Sequence, residues 1–170
     1  MTTWIELRRL NINFFYNVDR DDVVEGHIFP FNIDNLKLES VSLWAYDGIH
    51  LPICISQFQT VRVLDLWEYV QLRGQLLCEI GNGIVRRSFQ MLKRLELQDL
   101  RKLERMVGSS SKEEMLKPKD IDVCACGKMK RFRTNKLPCL TKLRIHCCSN
   151  FEALELESGN FLMFKDLRLL

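Results

Sequence analysis

The sequence predicts an α/β solenoid, a chain that winds in similar turns with parallel strands on one side and irregular or short helical returns on the other. Three observations predict it. One apolar offset pattern recurs along the chain, its copies are spaced as whole turns, and the composition is that of a globular protein. The chain has 170 residues, 46% hydrophobic and 28% charged, which matches one ordinary folded domain and excludes a disordered tail or a membrane bundle. Basic residues exceed acidic ones by 25 − 22 = 3, too small a surplus for a dedicated nucleic-acid binder.

The clearest copy runs from Leu92, with apolar positions at Leu92, Leu95, Leu97, Leu100, Leu103 and Met106. Leu140, Leu143, Ile145, Cys148, Phe151 and Leu154 repeat its offsets, and Ile121, Val123, Cys126, Met129 and Phe132 join from the second position. Upstream copies are Val61–Leu72, Leu38–Ile49 and Leu7–Val18, and a last one starts at Phe164 and reaches Leu169. The second positions fall at 10, 41, 64, 95, 121, 143 and 167, giving steps of 31, 23, 31, 26, 22 and 24 residues. Most of these steps lie in or near the range of leucine-rich repeats, about 20–29 residues.

The first part of each copy, L-x-L, alternates with period 2 and predicts a strand with one face buried. The following x-x-L-x-x-L has no strand period and predicts a turn and an irregular return with one inward residue per loop. A single copy cannot cover its own apolar face, so neighbours stack and share a core. The predicted architecture is a leucine-rich-repeat solenoid, with parallel strands on a concave wall and irregular or short helical returns on the convex side. Residues 1–170 are read as a single domain truncated inside its last repeat. Surface excursions are expected in the two long steps, around Asp19–Asp22 and around Gly81–Gly83. Residues 108–119 (GSSSKEEMLKPK) predict a flexible inserted loop. Pro118 occupies a first apolar slot, so its strand is expected to start late.

Leu137–Leu154 (LPCLTKLRIHCCSNFEAL) and Ser88–Met106 (SFQMLKRLELQDLRKLERM) resemble the repeats of plant intracellular immune receptors of the nucleotide-binding, leucine-rich-repeat (NB-LRR) disease resistance type. IDVCACGKMKRF resembles that family's strand-plus-Cys form, and VRVLDL its strand line. The resemblance implies a non-catalytic sensor region in defense response. Its implied partners are a protein ligand, either a pathogen effector or a host protein, and the receptor's own nucleotide-binding domain. No G-x-x-x-x-G-K-[ST] motif is present, so nucleotide binding is not carried over. Alternatives are a substrate-recruiting module of a ubiquitin-ligase adaptor and an inactive receptor fragment.

Function in such a fold belongs to the outward strand positions. The residues between the two inward strand positions are Asn11, Ser42, Asp65, Glu96, Asp122, Arg144 and Arg168. The next row holds Asn13, Trp44, Trp67, Gln98, Cys124 and His146, and the preceding row ends in Lys142 and Asp166. The candidate protein-binding surface is Trp44, Trp67, Asp65, Glu96, Asp122, Lys142, Arg144 and His146. Its centre is the tryptophan pair, because exposed Trp beside charge is common at binding hot spots. The charge changes from acidic at Asp65, Glu96 and Asp122 to basic at Lys142, Arg144 and Arg168. A linear basic stretch, Lys128 to Arg144, offers a second patch for phosphate or an acidic partner.

The chain has seven cysteines, and Met1–Leu10 lacks the apolar core of a secretory signal. The expectation is therefore free thiols in a reducing, cytoplasmic setting, with no membrane span. Cys124, Cys126, Cys139, His146, Cys147 and Cys148 do not make paired C-x₂-C knuckles. Cys126 and Cys148 read instead as inward turn thiols, and Cys147 as outward and reactive. His146 and Cys147, adjacent in one strand, are expected on opposite faces. No metal ligand, cofactor or catalytic group is assigned, and the chain is read as a non-enzyme.

Overall fold

The computed structural model describes residues 7–13, 37–46, 60–69, 91–106, 118–133, 137–156 and 164–170. Seven of the repeat copies enter one parallel sheet. Its strands are β1 (Arg9–Asn13), β2 (Ser40–Trp44), β3 (Val63–Trp67), β4 (Arg94–Gln98), β6 (Asp120–Cys124), β8 (Lys142–His146) and β10 (Asp166–Leu169), adjacent in that order. Short strands β5 (Arg105–Met106), β7 (Arg131–Arg133) and β9 (Ala153–Glu155) form a second, three-stranded parallel sheet in the returns. The chain is a parallel-strand β-solenoid, and three consecutive turns carry a strand in each sheet.

The register is the one the spacing predicts. Leu10, Val41, Leu64, Leu95, Ile121, Leu143 and Leu167 are successive Cα partners across the large sheet. Ile12, Leu43, Leu66, Leu97, Val123, Ile145 and Leu169 form the parallel row beside them. The inner strands β2, β3, β4, β6 and β8 bury both of these positions, while β1 and β10 at the sheet's two ends are partly exposed. Leu100, Leu103, Met106, Met129 and Phe132 complete the same buried cluster from the return side. Each fully buried Leu, Ile or Phe contributes about 1.5–3 kcal/mol of apolar burial, and only stacking provides the neighbours that bury it.

Five strands of the large sheet, β2, β3, β4, β6 and β8, end in the same way. Ala45, Glu68, Asp99, Ala125 and Cys147, each one residue past its strand, have φ between 51° and 57°. None is glycine, although the left-handed region costs an ordinary residue about 1–2 kcal/mol. The backbone there is held by the next rung: Ala45 donates its N–H to Trp67 O, Glu68 to Gln98 O, Asp99 to Cys124 O, Ala125 to His146 O and Cys147 to Leu170 O. The ladder thus continues past the strands and fixes the corner at which the chain leaves the sheet.

Two expectations change. The returns of the three complete turns are strands and turns, and no described residue is helical. The x-x-L-x-x-L segment places Met106, Phe132 and Leu154 in equivalent positions, and β-pairing satisfies the backbone around them. Pro118 also does not delay its strand: β6 starts one residue before Ile121, as β4 starts one residue before Leu95. The buried slot of Pro118 precedes the ladder, whose first donor on that rung is Lys119 N–H, bonded to Lys93 O. A missing N–H at 118 therefore breaks nothing. Residues 108–117 of the expected loop and the two long excursions lie outside the described residues.

Candidate functional site: the outward face of the large sheet

Parallel strands about 4.8 Å apart present equivalent side chains as ladders. Trp44 and Trp67 are Cα partners at the ends of β2 and β3. Their rings stack with centroids 4.5 Å apart and planes 8° from parallel. Trp44 is the more open, 36% exposed, so the stack presents one aromatic face to solvent. Tyr46 and Tyr69, two residues further on, are buried and pack at 5.2 Å with a tilt of 49°. The sheet end therefore carries an open aromatic pair outside and a buried one inside.

The charged row is more self-contained than its sequence implies. Ser42 Oγ donates to Asp65 Oδ2 at 2.8 Å, while the buried Asp65 Oδ1 has no hydrogen-bond partner. Burial raises the Asp65 carboxyl above its ordinary value, opposed by the Ser42 bond and by Arg94. Glu96 is raised first by burial and then by the neighbouring Asp65. Arg94 Nε lies 2.6 Å from Glu96 Oε1 but makes no aligned hydrogen bond, so the contact is ionic.

At the other end, the basic residues face acids. Arg144 donates through Nε and Nη2 to Asp166 Oδ2 at 3.1 and 2.7 Å, and its Nη1 lies 3.7 Å from Asp122 Oδ2. Arg168 Nε donates to Asp166 Oδ1 at 2.9 Å. Hydrogen bonds from Arg144 and Arg168 hold the Asp166 carboxyl below its ordinary value. The acid-to-basic gradient expected from the middle row is therefore a bridged network. Asp166 stands one row over, and only the register shows that it reaches both arginines. Lys142 stands exposed at the start of β8. The linear basic stretch is divided by the fold: Arg131 and Arg133 lie on β7 in the second sheet and pair with Glu155 on β9, whereas Lys142 and Arg144 lie on the large sheet.

The thiols separate by direction. Cys126 Sγ donates to Cys124 O at 3.5 Å and Cys148 Sγ to His146 O at 3.4 Å. Both are buried turn thiols, as expected, and all five described cysteines are free. The neighbouring Cys126 thiol draws the Cys148 thiol below its ordinary value. Cys54 and Cys78 lie outside the described residues.

His146 and Cys147 do not diverge. Alternation applies only within a strand, and Cys147, at φ 55°, lies beyond the end of β8. Its Sγ, the Cys124 Sγ and a ring nitrogen of His146 lie within 4.8 Å of one another. Cys124 and His146 are Cα partners, and His146 Nε2 donates to Asp122 Oδ1 at 2.9 Å. Burial and the adjacent Cys147 push the Cys124 thiol up. No described helix is long and apolar enough to cross a membrane. No protein-family model matches the sequence, and neither the curated proteins nor the solved structures contain a match.

Proposed function

We propose that the chain is a leucine-rich-repeat recognition module of the α/β type, one that binds another protein and performs no chemistry of its own. The reading follows the resemblance to the sensor regions of plant NB-LRR receptors. It places the chain in the cytoplasm and makes the partner a pathogen effector or a host protein. The observation that carries it is the Trp44–Trp67 stack, an aromatic pair on an otherwise polar, internally bridged face. Two rigid rings supply apolar area with little rotamer entropy to lose, and the paired charges around them set orientation more than affinity.

The double variant Trp44→Ala/Trp67→Ala tests this. Proteins retained from a cytosolic extract by the immobilised chain are purified and titrated against both forms. A hot-spot pair predicts a loss of at least about 30-fold in affinity, the equivalent of about 2 kcal/mol. The variant should still melt cooperatively, because the inward rows are untouched. Equal affinity for both forms, or no saturable protein partner, overturns the proposal.

A further inference from the structure

We propose that Cys124, His146 and Cys147 form a binding site for a single thiophilic metal ion, of which zinc is the type, with Asp122 positioning the histidine. Three potential ligand atoms from two adjacent rungs already lie within 4.8 Å of one another. A tetrahedral zinc with bonds of about 2.3 Å to sulfur and about 2.0 Å to nitrogen needs ligand atoms about 3.5–3.8 Å apart. Rotations about side-chain bonds that move each atom by about 1 Å or less close that gap. Two thiols and an imidazole suit zinc and exclude magnesium or calcium, which take oxygen ligands.

The surroundings favour the same assignment. His146 Nε2 is engaged by Asp122 Oδ1, which leaves Nδ1 as the nitrogen for the ion. This is the carboxylate–histidine–metal relay that fixes tautomer and ring orientation in metal sites. Asp122 is itself held by Arg144, whose Nη1 lies 3.7 Å from the other carboxylate oxygen. The left-handed backbone at Cys147 brings the second sulfur to the histidine's side, and the bond from Cys147 N–H to Leu170 O holds it there. Cys126 and Cys148 are excluded as ligands, since both are buried and directed at carbonyls. Cys147 is exposed, so an ion enters from solvent and keeps a fourth position open to water. As the sulfurs take the ion, the two thiol protons pass to solvent. The inference does not depend on what the tryptophan pair binds.

The full chain, stripped of metal and kept reduced with a phosphine, is titrated with cobalt(II) and then with zinc. The site predicts a single equivalent of cobalt, a thiolate-to-cobalt charge-transfer absorption, and displacement of cobalt by zinc. Cys147→Ser, at an exposed position, should halve that absorption and weaken zinc binding. Cys139→Ser should leave both unchanged. Asp122→Asn should weaken zinc about 10–100-fold with the charge-transfer absorption retained. Far-ultraviolet circular dichroism confirms that each variant is folded, and if Cys124→Ser unfolds, the Cys147 and Asp122 variants decide. No cobalt absorption in the wild type, or an absorption unchanged in Cys147→Ser, overturns the assignment.

Discussion

At the residue scale, the outward face combines stabilising and destabilising charges, and their pH dependence separates them. Asp65 and Glu96 have carboxyls raised above their ordinary values of 3.8 and 4.5, chiefly by burial. The folded state therefore keeps these protons to higher pH than the unfolded state does. Stability from both residues is full below those ordinary values and falls as pH rises through the raised ones. Asp166, lowered by Arg144 and Arg168, acts in the opposite sense: its contribution is present above the ordinary value and is lost as pH falls. Asp65→Asn keeps an acceptor for Ser42 and removes the buried charge. Urea unfolding of both forms should show the variant gaining on wild type at neutral pH relative to its standing below pH 3.8. A gain that instead grows towards acid contradicts the assignment. The middle row itself was legible in the sequence, because alternation fixes which side chains face outward. Its pairing was not, because Ser42–Asp65 and Arg144–Asp166 join residues 23 and 22 apart in sequence.

At the element scale, the strand is short and its end is what makes it a repeat. Five strands of the large sheet end in a non-glycine residue at positive φ, and in each the N–H bonds across to the following rung. No shared sequence signal marks that corner, since Ala, Glu, Asp and Cys occupy it and only Asp99 is a residue that favours turns. The same corner explains why Cys147 joins His146, against the alternation rule. Replacing Ala125, at φ 54°, by glycine removes the steric penalty of about 1–2 kcal/mol and adds the unfolded-state entropy of glycine, about 0.5–1 kcal/mol. Ala125→Gly should therefore leave stability unchanged or raise it by up to about 1.5 kcal/mol. The same change at Ala153, within β9, should lower it by about 0.5–1 kcal/mol. Equal losses at both positions in denaturant melts contradict the strained-corner reading. The second sheet was also not legible: β5 and β7 have only two and three residues, too few for a period to register.

At the scale of the whole molecule, each turn touches only its neighbours, so stability is a sum over adjacent rungs. The order of the large sheet follows the order of the chain, and the described core is one cluster running through it. That much was legible, because an offset pattern repeated at turn-length spacing has one economical solution, which is to stack. The long steps from 10 to 41 and from 64 to 95 still arrive in register, so the ladder does not depend on equal step length. Both the tryptophan stack and the proposed metal site exist only because equivalent positions become neighbours. Methyl-labelled nuclear Overhauser spectroscopy tests that stacking most directly. In-register rungs predict cross-peaks for Leu64–Leu95, Leu95–Ile121 and Ile121–Leu143, and none for Leu64–Ile121, two rungs or about 10 Å apart. Loss of the Leu95–Ile121 contact, or a Leu64–Ile121 peak as strong as the neighbouring ones, would contradict it.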